Sequence, residues 1–193
     1  MGVVKKFNMN ILTRILSLLI IILLLPFFIT ISILILVEDG FPIFFTQSRV
    51  GINYTFFNIY KFRSMKKNTP NVATHLLTNP DQYLIKIGKF IRKTSLDELP
   101  NLINIIKGEM VFVGPRPALY NQDDLMQYRV ATGVSKLKPG ITGWAQINGR
   151  DEISIPEKVK LEQEYLHKKS FILDMEIVIK TFTNVLFSKG VSH

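Results

Sequence analysis

The sequence predicts an α+β fold, mostly helical. A kinked N-terminal membrane helix enters and returns on one side, and a compact domain with a small β-hairpin follows. Three observations predict it. The run from Ile15 to Val37 is apolar except at Ser17, Pro26, Thr30 and Ser32. After Asp39-Gly40 the pattern turns strand-like over two short segments. Beyond Gln82, apolar residues recur mostly at helical spacing.

At about 20 residues per bilayer crossing, the Ile15–Val37 run is long enough to span. It is too long for a signal-peptide core, and no small-x-small cleavage site follows it. Pro26, near its midpoint, frees a backbone carbonyl and bends the helix. Lys5, Lys6 and Arg14 precede the run, while Arg49, Lys61, Arg63, Lys66 and Lys67 follow it. Cationic flanks stay on the cytoplasmic side. A straight helix strands one flank outside, whereas a re-entrant helix broken at Pro26 satisfies both. Residues 1–40 are therefore read as a membrane-associated re-entrant helix and 41–193 as a cytoplasmic domain.

Pro42 to Phe45 reads as one strand, with a turn near Val50–Asn53 and a second strand from Tyr54 to Phe62. Lys61 and Arg63 stand two apart and project from one strand face. Residues 66–82 read as a mobile loop and Tyr83–Ile91 as a helix. Thr94-Ser95-Leu96-Asp97-Glu98-Leu99-Pro100 then places adjacent carboxylates just after Lys89, Arg92 and Lys93. Two helix starts are open here. Ser95 and Glu98 fit a capping box, but Pro100 then falls past the first turn, where its ring and missing N–H cost stability. With Asp97 as N-cap, Pro100 is tolerated and both carboxylates meet the positive end of the helix, which also suits a bound phosphate. Leu99, Leu102, Ile103 and Ile106 form the apolar stripe, and Lys107-Gly108 closes the helix.

Val111–Val113 reads as a short buried strand entering Gly114-Pro115-Arg116-Pro117, where two prolines stiffen the backbone and aim the Arg116 guanidinium. Asp123–Ala131 reads as a polar helix. Lys138 to Arg150 is glycine-punctuated and reads as a loop that brings backbone amides with Gln146, Asn148 and Arg150 to a ligand. Helices around Ile155–Leu166 and Leu173–Phe187 finish the chain.

The 193 residues carry 24 Lys+Arg against 15 Asp+Glu, a net charge of +9, which favours anionic partners. With no Cys, disulfides, zinc-thiolate centres and thiol nucleophiles are excluded. No nucleic-acid-binding motif is present, so nucleic acid is not an expected partner.

Four segments resemble the signatures of a known family, in family order and over nearly the whole chain. They are Lys61-Phe62-Arg63-Ser64-Met65, the Arg92–Pro100 stretch, Gly114-Pro115-Arg116-Pro117, and the Lys138–Arg150 stretch. Together they resemble the bacterial sugar transferases, or monotopic phosphoglycosyl transferases. The resemblance implies transfer of a sugar-1-phosphate from a UDP-sugar to undecaprenyl phosphate, with release of UMP, to initiate surface glycan synthesis. It implies Asp97 as the nucleophile that forms a covalent phospho-sugar intermediate. Glu98 would be its partner, and Mg²⁺ the cofactor, held by both carboxylates. Lys61, Arg92 and Arg116 match positions lining the phosphate site. Arg63, Gln146, Asn148 and Arg150 complete the expected substrate-binding set.

The short form resembles the minimal members, which lack the extra N-terminal membrane domain of larger relatives. It implies an N-acetylated amino or 6-deoxyamino sugar as donor, with a plain hexose such as glucose or galactose as the alternative. The implied location is the bacterial inner membrane, with the catalytic domain on the cytoplasmic face among membrane lipids; self-association into a homo-oligomer is left open. One departure is visible: the family's usual Ser-Pro at the helix break is Leu25-Pro26 here. Charge and the apolar segment alone fit a different class equally, a non-catalytic basic module anchored at a membrane. Asp97→Asn separates the two, because binding by net charge tolerates it and covalent catalysis does not.

Overall fold

The computed structural model describes residues 2–70, 78–149 and 153–186. The chain opens with two helices, α1 (Gly2–Leu23) and α2 (Leu25–Asp39). Helix α1 starts well before the apolar run, taking in a polar turn that the sequence reading left outside it. Pro26 falls in the first turn of α2, where its missing N–H ends the ladder of α1 and costs α2 nothing. The apolar part of α1 (Ile11–Leu23) and α2 meet at 62°, so the bend forms without the usual Ser before the proline. No single helix among the described residues is long and apolar enough to cross a membrane; the bent pair together is, by length and composition.

The inner face of this pair is part of the main core. Phe28, Ile31 and Ile35 of α2 are buried with Phe62, Ile85 and Ile91, and Leu96 and Leu99 pack against them. Ile20 and Ile21 of α1 pack on Ile59, Leu102, Ile105 and Met110. The outer face stays apolar and bare, with Leu23 76% and Phe27 59% exposed at the bend. Residues 1–40 and 41–193 thus share cores across the boundary read between them.

Strands β1 (Phe44–Val50) and β2 (Phe56–Phe62) form the hairpin, antiparallel from Phe44↔Phe62 to Val50↔Phe56. The first strand runs further than Pro42–Phe45. Pairing begins at Phe44, and the turn tightens around Gly51, whose N–H donates to the Thr55 carbonyl at 2.6 Å. A 3₁₀ turn, Pro80–Tyr83, precedes α3 (Lys86–Lys93), so the predicted Tyr83–Ile91 helix starts three residues later. Of the loop read at 66–82, residues 71–77 lie outside the described residues; at its ends the Lys66 N–H donates to the Tyr83 carbonyl at 2.8 Å. Helix α4 (Asn101–Lys107) ends on Gly108, whose φ of 83° needs no Cβ, as read from the sequence.

The buried face of α4 is rotated from the stripe read in the sequence. Asn101, Leu102, Asn104 and Ile105 are buried, because β2 and α1 cover the helix from two sides. Asn104 accepts from the Tyr60 N–H at 3.2 Å and donates to the Asn58 carbonyl at 2.7 Å. It thereby satisfies the free edge of β2, the outer strand of the sheet β2-β1-β4.

Beyond α4 come β3 (Val111–Val113), β4 (Ala118–Leu119), α5 (Asp123–Ala131), β5 (Gly140–Thr142) and α6 (Trp144–Asn148), then α7 (Ile155–Lys168) and α8 (Phe171–Leu186). Strand β4 adds to β1. Strands β3 and β5 pair in parallel, Val111↔Gly140 and Val113↔Thr142. The glycine-punctuated stretch is therefore a strand and a helix rather than a loop. Its glycines serve close packing: a Cβ on Gly140 would lie 2.1 Å from the Gly114 nitrogen. Helix α5 spans the predicted residues but buries Leu125, Met126 and Arg129. Ser154 and Glu157 form a capping box at α7 that the sequence reading passed over. In α8, Ile177 is buried while Ile179 and Phe182 are exposed; Phe187, the predicted end of that helix, lies outside the described residues.

Candidate active site

Asp97 and Glu98 lie on one 3₁₀ turn, Leu96–Glu98, between α3 and α4. Neither predicted helix start forms. Ser95 takes a left-handed conformation (φ 56°) to reverse the chain after α3, and its side chain caps nothing. Glu98 does not cap the Ser95 N–H, which donates to the Arg92 carbonyl at 3.0 Å, while the Glu98 carboxylate pairs with Lys61. Pro100 directly precedes α4, so its missing N–H costs the helix nothing. Leu96 and Leu99 anchor the turn in the α2 core, leaving the two acids between them.

Two cations converge on one oxygen of Glu98. Lys61 Nζ, from the end of β2, lies 2.6 Å from Oε1, and Arg116 Nη2 lies 3.4 Å from the same atom. Arg116 is aimed as its proline turn suggests, and two other arginines hold that turn. Arg129 donates to the Arg116 carbonyl at 2.9 Å and forms a buried pair with Glu162, 2.8 Å from Nε to Oε2. Arg49 Nη1 donates to the Pro117 carbonyl at 3.2 Å. Arg92, in the last turn of α3, is partly buried within the field of Asp97, Asp81 and Glu98.

The two acids differ sharply. Among the described residues nothing hydrogen-bonds to the Asp97 carboxylate. Burial, with Glu98 alongside, pushes its pKa up to about 6 against the pull of Lys61, Arg92 and Arg116. Those cations keep it ionised only above that pH. Burial would raise Glu98 too, but Lys61 and Arg116 outweigh it and hold that carboxyl below the usual range. One acid is locked as an anion by two cations; the other stands unbound in a poorly solvated place.

Other predicted residues lie elsewhere. Arg63 is 6% exposed and ties the end of α2 to the hairpin: it pairs with Asp39 and donates to the Pro42 carbonyl at 2.6 Å. Its guanidinium is consumed there, so it does not join Lys61 at the dyad. Gln146 Nε2 donates back to the Ile141 carbonyl at 3.1 Å, and Asn148 Nδ2 to Trp144 at 2.9 Å. Helix α6 turns both onto their own backbone neighbourhood. Arg150 lies outside the described residues.

The cleft beside Glu98 contains two residues that sequence reasoning missed. Its polar wall is Arg49, Lys61, Glu98, Asn101 and Arg116, and its apolar wall includes Ile59, Met110 and Ile141. Arg49 arrives because β4 pairs with β1, Arg49 opposite Leu119, which carries the 114–117 turn alongside. No local sequence signal announces a two-residue strand. Asn101 carries no local signal either.

Among the described residues no group of three or more His, Cys, Asp or Glu gathers for a metal. A two-carboxylate site nonetheless suits Mg²⁺, which keeps several waters and takes substrate oxygens rather than a protein cage.

Comparison with known proteins adds to this geometry. A sequence profile of the family described as "Bacterial sugar transferase" matches residues 4–188. The sugar transferase EpsL of Bacillus subtilis (strain 168) is 43% identical over 155 residues, covering 80% of this chain and 75% of that protein. The UDP-glucose:undecaprenyl-phosphate glucose-1-phosphate transferase of Escherichia coli (strain K12) is 39% identical over 176 residues, 86% of this chain and 38% of the relative. An N-acetylgalactosaminephosphotransferase of Aeromonas hydrophila, named for UDP-N-acetylgalactosamine and undecaprenyl phosphate, is 34% identical over 170 residues, 86% of this chain and 40% of the relative. The chain thus spans about two fifths of the two longer relatives.

Proposed function

The chain belongs to the bacterial sugar transferase family, and from that premise we propose that it moves a sugar-1-phosphate from a UDP-sugar to undecaprenyl phosphate, releasing UMP, to begin synthesis of a surface glycan. One observation carries the reading: an Asp97 carboxylate with no hydrogen-bond partner among the described residues, beside a Glu98 held by Lys61 and Arg116.

An Asp97 oxygen attacks the phosphorus that bears the sugar. The new O–P bond forms as the bond to the bridging oxygen breaks, and UMP leaves with that electron pair. A phosphate oxygen of undecaprenyl phosphate then attacks the same phosphorus and returns Asp97 to its ionised form. Phosphoryl transfer depends mainly on positioning and neutralisation of charge. Lys61 and Arg116 cover the Glu98 side of the dyad, and Arg92 the Asp97 side. Asp97 and the second oxygen of Glu98 would hold Mg²⁺, which supplies further neutralisation of the diphosphate. The desolvation that raises Asp97 also makes its ionised form a less solvated, more reactive oxygen.

The apolar outer face of α1 and α2 supports a place in the inner membrane, entered and left from the cytoplasmic side. Leu96 and Leu99 pack on that segment's core and so hold the dyad turn against it, which suits an acceptor whose phosphate lies at a lipid interface. A relative named for UDP-N-acetylgalactosamine at 34% identity favours an N-acetylated amino sugar as donor; a relative named for glucose at 39% identity favours a hexose. The deciding experiment measures UMP release from a panel of UDP-sugars with undecaprenyl phosphate and Mg²⁺, wild type beside Asp97→Asn. Release with one donor and none from the variant is expected. Equal release from both proteins rules out the Asp97 nucleophile.

A further inference from the structure

Two buried atoms in the cleft lack partners among the described residues. One is a donor, Nε of Arg49, and the other an acceptor, Oδ1 of Asn101. Asn101 is only 3% exposed. Buried polar atoms are nearly always satisfied, and each exception calls for a reason. Both residues line the wall that carries Lys61, Glu98 and Arg116. Arg49, Lys61 and Arg116 line this wall with Glu98, and Asp97 lies within the field of Lys61 and Arg116; three cations against two acids leave a positive charge that an anion would balance. The Arg49 guanidinium is already fixed, with Nη1 on the Pro117 carbonyl and Nη2 on Gln47 Oε1 at 2.6 Å, so binding through Nε costs little further order.

We propose that Arg49 and Asn101 form a donor subsite beyond the dyad, where Arg49 Nε–H holds a phosphoryl oxygen and Asn101 Oδ1 accepts from a hydroxyl or N–H on the group esterified to it. The ligand chemistry is a phosphate monoester or diphosphate arm carrying a hydroxylated ring. This rests on the reaction proposed above, in which either end of a UDP-sugar has that chemistry. Burial and the neighbouring Arg116 push the Arg49 guanidinium down to about 10, and an anion seated between the two arginines relieves that repulsion. Asn101 has a simple local role as the first residue of α4 and gives that helix no cap through its side chain. Among the described residues, therefore, nothing requires its oxygen.

The test uses Asn101→Leu and Asn101→Ser in the full chain, since Arg49 also braces the turn that carries Arg116. Removing an unsatisfied buried acceptor leaves the Tm unchanged or raised in Asn101→Leu. The KM for the UDP-sugar rises about tenfold, the value of one hydrogen bond to substrate. The KM for undecaprenyl phosphate and kcat stay within about twofold, as for lost uniform binding. Inhibition by UMP and by the matching sugar 1-phosphate identifies the occupant: whichever weakens in the variants sits on Asn101. A lowered Tm with unchanged donor KM, or unchanged inhibition by both compounds, overturns the subsite. If wild type turns over no donor, the reaction reading fails, and direct binding of UMP and of the panel's sugar 1-phosphates to wild type and Asn101→Leu still decides the subsite. Equal binding refutes it, and binding lost only in the variant upholds it.

Discussion

Asp97 pays for its position in stability. An acid whose folded pKa of about 6 exceeds its unfolded 3.8 costs folding free energy wherever it is ionised in the native state. The cost is full above pH 6, shrinks as pH falls, and vanishes below 3.8. Asp97→Asn is therefore expected to raise the Tm by a few degrees at pH 7, with no gain at pH 3.5. A Tm difference independent of pH would place the effect elsewhere than in the ionised carboxylate. Glu98 behaves oppositely: its pKa is depressed, so it contributes stability above its unfolded 4.5 and loses it only in strong acid. That two adjacent carboxylates stand amid cations was legible in the sequence. Which of the two stands unbound was not, since that depends on a lysine 37 positions away along the chain.

Between elements, the buried Arg129–Glu162 pair joins α5 to α7 and holds the Arg116 carbonyl. Removing one partner of such a pair costs about 3–5 kcal/mol, whereas replacing both by apolar residues is often neutral. Glu162→Leu is expected to lower the Tm markedly, and Arg129→Met with Glu162→Leu to recover most of it. Turnover recovers less than the Tm in the double variant, because the Arg116 carbonyl still lacks its donor. Full recovery of kcat would show that Arg129 does not position Arg116. Legibility is uneven at this scale. Helices with one covered face, such as α5 and α7, were located closely by their pattern. Helix α4, covered from two sides, buries Asn104 where the pattern expected a polar outer face. The Lys138–Arg150 stretch misled through its glycines, which permit two backbones to approach rather than a loop to bend.

The whole molecule is built around the bent helix pair, whose inner face shares cores with the hairpin, α3 and α4. Glu38, at the end of α2, accepts from the backbone N–H groups of Lys86 and Ile87, at the positive end of α3. With the Asp39–Arg63 pair it locks the bent helix pair to the rest of the domain. If the pair enters and returns on one side, tags at both chain ends react only from the cytoplasmic side; labelling of an N-terminal tag from outside would refute it. The sequence by itself determined the apolar run, its break at Pro26, the hairpin, most helices and the acid pair. Each rests on neighbours along the chain, where proline geometry and apolar spacing act directly. Only the tertiary structure decided that Arg63 ties α2 rather than facing the dyad, that Gln146 and Asn148 turn back on α6's surroundings, and that Arg49 and Asn101 join the cleft. Those outcomes depend on which distant backbone and charge lie within hydrogen-bonding reach, and strand pairing and helix packing set that reach.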